Sequence, residues 1–398
     1  MNSGATMYRN NLVFAAACLG MLLFGIVFLS LGSVNNMLTE RFQLDDNAIG
    51  TLTALLPLGI LVGSLIFGPV VDRFGYRWPL IVASLAVGAG LEGLAFCGSK
   101  GLVQLLVFLI GFGGGVLNGG ANALAADVSE GDRGAKLSLL GVFFGIGALT
   151  MPSTLAALSQ HVEPSSIVAG IGALVLVPAA YNLAINFPPP KQRADRFSLI
   201  GGLALLRHPI FLLAGLALAI QSGMEGMSND WMTRYFKQVT LAGGSGAEWK
   251  TQLGLVAVAG AMMATRIVLA GVLTRISSRR VLLASVGVTA LGALTLMVGG
   301  YGAALAGALM IGAGLAAAFP VVLGYIGDLH PQQSGTAFST IFVLALTGNM
   351  VINKMFGYVA QRYGVEHYAI MMLGCLACSA VLLVLIFRQL DNAPANGE

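Results

Sequence analysis

Charge is scarce in this chain. Asp, Glu, Lys and Arg make up 10% of its 398 residues, against 57% hydrophobic, and mean hydropathy is +0.84. A soluble domain is about 25% charged, so an ordinary globular enzyme is excluded. Disorder is excluded too, since it needs low hydrophobicity and high charge. Histidine is scarcer still. His161, His208, His330 and His367 fall in loops or at the ends of apolar runs, and no two have metal-pair spacing. There is no Ser/His/Asp set and no phosphate loop, so neither catalysis nor a cofactor nor a metal is expected. Cysteine is limited to Cys18, Cys97, Cys375 and Cys378, all inside apolar runs. Cys375-x-x-Cys378 has redox spacing, but its MLGCLACSAVLLVL surroundings offer neither histidine nor loop, which favours packing. The apolar region before Ala15-Ala16-Ala17-Cys18 is too short for a cleaved signal.

Glycine, in contrast, is plentiful at 54 residues with no collagen period, as suits membrane helices whose backbones approach closely. Crossing a bilayer takes about 20 mostly apolar residues. Twelve runs meet that length, at 11–33, 48–70, 78–97, 102–126, 136–158, 165–185, 209–236, 250–272, 279–299, 302–325, 334–358 and 367–387. Backbone groups in lipid must be satisfied internally, and the runs lack the short alternation of barrel strands, so each is expected to be a helix. The fold class is therefore all-α and polytopic, with the lipid bilayer as solvent.

The longest interruption, 188–208, holds Pro188-Pro189-Pro190, Lys191, Arg193, Asp195 and Arg196 and reads as a linker between 1–187 and 209–398. Phe197 to Arg207 fits a short amphipathic helix at the membrane surface. With the N-terminus cytoplasmic, thirteen Lys and Arg fall on that side, six on the other and two, Arg266 and Lys354, within spans. That bias puts both termini in the cytoplasm, and it accounts for the net charge of +4 without any nucleic-acid partner. The halves also repeat. Gly68 to Arg77 after the second span is echoed by Gly271 to Arg280 after the eighth, and Gly113, Gly115 and Gly120 by Gly312 and Gly314. Two six-helix halves suggest a duplicated transporter with a mid-membrane site.

The segment Gly68-Pro-Val-Val-Asp72-Arg73-Phe-Gly75-Tyr-Arg77 resembles the G-x-x-x-D-R-x-G-x-R signature of the major facilitator superfamily, and the cluster Arg275, Arg279, Arg280 is similar to its weaker second copy. The resemblance implies twelve helices in two pseudo-symmetric bundles and a gate in which Asp72 faces the start of the eleventh helix. Gly68 would allow close approach, Gly75 a tight turn, and Arg73 and Arg77 would set a conformational equilibrium. Gly223-Met-Glu225 through Trp231 and Tyr235-Phe236 is similar to the seventh helix of the fucose-permease-like sugar branch. The first helix lacks that branch's acid and has Asn35 and Asn36 near its outer end, while the fourth has Asn118 and Asn122 instead of a carboxylate.

Candidate solute ligands follow from helical periodicity. Gln221, Glu225, Ser228 and Tyr235 share one stripe of the seventh span, with Asp230 opposite. Asn118 and Asn122 lie one turn apart, and Ser129 continues their stripe; Asn349 and Asn353 share a face of the eleventh span. Amides suit sugar hydroxyls because they both donate and accept; they also hold membrane helices together. Glu225 is the best-placed proton carrier. Lys354 is open to snorkelling, to an ion pair with Asp230 or Glu225, or to solute contact, and Arg266 to a gate or a structural pairing. Trp231, Tyr235 and Tyr325 could stack on a sugar or belong to an aromatic belt. The expected activity is proton-coupled sugar import across a cell membrane, the bacterial inner membrane, with one chain sufficient because it contains both halves. Drug or metabolite efflux is the alternative, followed by a transport-dead receptor.

Overall fold

The structure, a computed structural model, describes residues 8–128, 133–189, 205–244, 247–272, 275–329 and 334–392. Twelve helices within these residues are long and apolar enough to cross a membrane, and no strand occurs among them. The limits expected from hydropathy hold within a few residues for most spans. The first and seventh run further, as α1 (Asn10–Phe42) and α8 (Pro209–Ala242). Polar residues near their C-terminal ends do not stop them, since Asn35 and Asn36 are buried and α1 closes only where Gln43 turns left-handed at φ 49°.

Between these lie α2 (Asp46–Phe74), α3 (Arg77–Phe96), α4 (Lys100–Asp127) and α5 (Arg133–Leu158). The sixth span is broken into α6 (Pro164–Leu174) and α7 (Leu176–Ala184). The eighth and ninth are α9 (Glu248–Val272) and α10 (Ser278–Met297). The tenth is broken into α11 (Tyr301–Leu315) and α12 (Ala318–Leu329). The eleventh is α13 (Ser334–Tyr363), and the twelfth is α14 (Tyr368–Asn392), entered by a short 3-10 turn over Val365–His367. Both breaks have a visible cause. A proline lacks the N–H that bonds four residues back, and its ring crowds that carbonyl. Pro178 and Pro320 therefore interrupt the ladder at Leu174 and Ala316, where the helices part.

The chain divides into two compact units, residues 1–44 with 55–194, and residues 45–54 with 195–398. Residues 190–204, including most of the expected surface helix, lie outside the described residues. In the first unit α1 packs on α5 and α4, and α3 on α4, α6 and α7; in the second α8 packs on α13, α9 and α14, and α10 on α11. The pairings of first with fifth span and third with fourth thus recur as seventh with eleventh and ninth with tenth, as a duplication requires. Glycine makes the fit. A methyl on Gly115 of α4 would overlap the Ile60 carbonyl of α2, and one on Gly312 of α11 would overlap the Val258 carbonyl of α9. Ser30 donates to the Val27 carbonyl at 2.7 Å and Ser84 to that of Leu80 at 2.8 Å, each along its own helix, while Ser64 of α2 donates across to the Gly115 carbonyl of α4 at 3.2 Å.

At the signature after the second span, Gly75 has φ 72°, the left-handed turn that its place between α2 and α3 demands. A methyl on Gly68 would meet nothing within 4 Å among the described residues. Arg77 donates to the Leu183 carbonyl at the end of α7, so it anchors a helix terminus within its own unit. Arg73 is exposed beside the Phe74 ring, 5.3 Å from its centroid. The side chain of Asp72 lies outside the described residues. In the second copy Arg275 is exposed, while Arg279 grips Asp391 with two bonds of 3.0 and 2.5 Å, which holds that carboxyl below its ordinary range.

Candidate functional site

Most of α8 from Gly223 to Thr233 is buried on every side, although it contains Glu225, Ser228, Asn229 and Asp230. A polar helix enclosed this way must find partners within its unit. Gln221 donates to the carbonyl of Leu315 at 2.8 Å. Leu315 ends α11, so its carbonyl is one of those a terminated helix leaves open, and Gln221 closes a gap produced by the proline break. Asn349 of α13 donates to the Ser222 carbonyl at 3.1 Å, Asn353 donates to Asn349 Oδ1 at 2.8 Å, and Trp231 Nε1 donates to Asn353 Oδ1 at 3.1 Å. Ser228 and Tyr368 share a 2.7 Å bond, and Tyr235 donates to the Leu296 carbonyl at 2.9 Å.

These bonds revise the expected solute ligands of the second unit. Gln221, Asn349 and Asn353 direct their amides at protein partners, and Trp231 is wholly buried against Phe356, with ring centroids 4.9 Å apart at 88°. Trp231 therefore belongs neither to an interfacial belt nor to an open stacking face. The cavity touching Gln221 is only about 10 Å³, at the lower limit for one water. The sequence showed a polar stripe, but it held no information about which neighbouring carbonyls were open.

Glu225 differs from this group. Arg266 of α9 reaches it with Nη2 at 3.4 Å from Oε1, and the Arg266 Nε–H is buried without a partner among the described residues. The pair is single-pronged and long, where a forked Arg–carboxylate contact would be the stronger form. Arg266 thus retains donor capacity beside the one carboxylate of the stripe. Lys354, open in sequence to snorkelling, to an ion pair with Asp230 or Glu225, or to solute contact, pairs with neither acid among the described residues. Its ammonium donates to the Asn47 carbonyl at 3.1 Å, Asn47 Oδ1 at 2.6 Å and Thr51 Oγ1 at 2.7 Å. Three donors meet three acceptors because residues 45–54 run along α13 within the second unit. Arg234, which the sequence gave no reason to single out, forms an ion pair with Asp46 in the same region.

In the first unit Asn118 and Asn122 of α4 bond to each other. Asn122 is exposed and donates to Asn118 at its carbonyl, 2.9 Å, and its Oδ1, 3.0 Å, while the Asn118 NH2 group has no bond among the described residues. Ser129 lies outside the described residues. The two sets of amides should therefore separate by experiment. Asn353→Ala strands the Trp231 N–H and should lower stability by about 1–3 kcal/mol, read as a fall in Tm. Asn122→Ala should leave Tm unchanged and weaken solute binding roughly two- to tenfold, the equivalent of one hydrogen bond.

Comparison with known proteins adds to this geometry. The family model of the Major Facilitator Superfamily matches residues 13–351. An uncharacterised MFS-type transporter, YfkL of Bacillus subtilis, is 24% identical over 53% of this chain and 54% of its own length. Sodium-dependent glucose transporter 1 of Rattus norvegicus is 29% identical over 38% of this chain and 32% of its own length. The glucose/mannose transporter GlcP of Bacillus subtilis is 27% identical over 32% of each. The chain therefore spans from about a third to about half the length of these relatives. Among solved structures, a point mutant of the nucleoside transporter NupG superposes with a TM-score of 0.80 at 13% identity, covering 95% of this chain and 99% of that one.

Proposed function

The chain belongs to the major facilitator superfamily, a family of transporters, and from that premise we propose that it imports a small solute bearing a sugar ring, coupled to protons. The observation that carries the coupling is Glu225 held by a single long contact from Arg266, which itself has an unused donor. An acceptor group of the solute can occupy Arg266 and release Glu225. An unpaired charge inside a membrane bundle is costly, so solute and proton would load together. The sugar assignment is supported by partial relatives named as glucose transporters and by the structural likeness to a nucleoside transporter. Hexoses and nucleosides share a hydroxylated ring, and the amides of Asn118 and Asn122 suit its hydroxyls.

On this reading Asp72, Arg73 and Arg77 set the balance between access states and do not touch solute, with both termini cytoplasmic. Asp72→Asn is expected to change which side of the membrane reaches a reporter cysteine while solute binding persists. Unchanged accessibility with intact transport would remove the gating role. The substrate assignment is tested by counterflow in proteoliposomes preloaded with D-glucose or uridine. Exchange of one of these, absent from empty liposomes, is expected. Failure of both, with exchange of an organic cation instead, would replace the sugar reading with efflux.

A further inference from the structure

A larger cavity lies elsewhere in the second unit. It has a volume of about 420 Å³, within the range of roughly 300–1,000 Å³ typical of small-molecule sites. It sits where α8 ends, α9 begins and the α10–α11 loop turns back. Tyr235, Gln238, Thr240, Lys250, Tyr301 and Glu366 supply its chemistry. Tyr235 is ten residues beyond Glu225, about 15 Å along the helix, so this space is separate from the Glu225–Arg266 pair.

Its walls combine ring faces with donors and acceptors. The phenol of Tyr235 is fixed by Leu296, and that of Tyr301 by the Lys250 carbonyl at 3.1 Å. The two rings are thereby held in place. Gln238 donates to Glu366 Oε2 at 2.9 Å, which orients a carboxylate and leaves the amide oxygen open. The Lys250 ammonium lies 5.6 Å from the Trp249 ring and 6.0 Å from that of Tyr301, with no hydrogen bond among the described residues. The loop contributes Gly299 and Gly300, at φ 84° and 83°, so no side chain fills the space from that direction.

We propose that this cavity is a second solute site, which holds a sugar ring at the outer mouth before it reaches Glu225. The proposal rests on the sugar reading above. The fixed, half-buried ring of Tyr301 suits the C–H side of a sugar ring. Glu366 accepts from its hydroxyls, Lys250 donates to them, and Gln238 accepts. The distribution of Lys and Arg places this end of the helices away from the cytoplasm, where an imported solute is first met.

The test uses the full chain in liposomes with Cys378→Ala, since Cys18, Cys97 and Cys375 are buried and Cys378 is exposed. Exposed Ala242, which lines the cavity without a polar role, is replaced, Ala242→Cys, and its modification by a charged, membrane-impermeant thiosulfonate is timed with D-glucose or with uridine. The solute that counterflows is expected to slow modification several-fold. Tyr301→Leu should abolish that protection and raise the half-saturating concentration from this side alone, with the maximal rate retained. Protection by glucose identifies a free hexose site, and protection by uridine alone a nucleoside site. Counterflow without protection would overturn the second site and leave the transport reading standing. Protection that survives Tyr301→Leu would overturn the site as well, since it would report a distant change of conformation. Absence of both counterflow and protection for both solutes would overturn the sugar reading and this site with it.

Discussion

Glu225→Gln should abolish uphill uptake driven by a pH gradient, yet leave solute exchange between preloaded liposomes within a few-fold of wild type. The amide keeps the shape of the carboxyl and can still accept from Arg266, so solute binding has no reason to collapse. What it cannot do is gain and lose a proton. Exchange moves no net protons and survives; accumulation requires them and fails. Arg266→Gln should uncouple in a different way. It removes the donor through which solute would release Glu225, so loading of the solute and loading of the proton are no longer linked. Both variants are read by the same pair of assays, accumulation against exchange. Accumulation by Glu225→Gln equal to wild type would remove Glu225 from the coupling.

Gly348→Ala should produce the largest loss of folded protein of any single methyl added to α13. The new Cβ would lie 2.5 Å from the Ala219 carbonyl carbon and 2.6 Å from its Cα. Both are backbone atoms of α8, so no rotamer can yield. Two effects oppose each other. Alanine is better than glycine in a helix by about 0.8–1.0 kcal/mol, whereas overpacking costs about 1–3 kcal/mol, and more where backbone must shift. The clash wins because α8 and α13 are also joined by the Asn349–Ser222 and Trp231–Asn353 bonds, which a displaced helix would stretch. Gly260→Ala in α9 is the control, since a methyl there meets nothing within 4 Å. Its Tm should be equal or higher, and that of Gly348→Ala clearly lower. Equal values for the two would show that α8 and α13 are not in close backbone contact.

The spans were legible because bilayer thickness writes a length into the hydropathy of each helix. The proline positions that break the sixth and tenth spans were visible too, though their effect depends on whether neighbours can absorb the freed carbonyls, as Gln221 does at Leu315. The role of each polar residue was less legible. Periodicity placed Gln221 and Glu225 on one stripe, but whether a group is free or engaged depends on residues far away in sequence. Glu225 and Arg266 are 41 positions apart, and Lys354 and Asn47 are 307. No local pattern encodes such a pairing. The ends of α1 and α8 were missed for a related reason, since buried amides such as Asn35 and Asn36 look like solvated residues until their surroundings are known.

Coupled movement of protons and a sugar-ring solute through one chain is tested most directly by an outward solute gradient. Purified protein is reconstituted in liposomes loaded with D-glucose or uridine at equal pH inside and out, and internal pH is followed on dilution into solute-free buffer. Solute leaving down its gradient is expected to carry protons with it, so the interior turns alkaline in wild type and not in Glu225→Gln. Solute efflux that leaves the internal pH unchanged would contradict it.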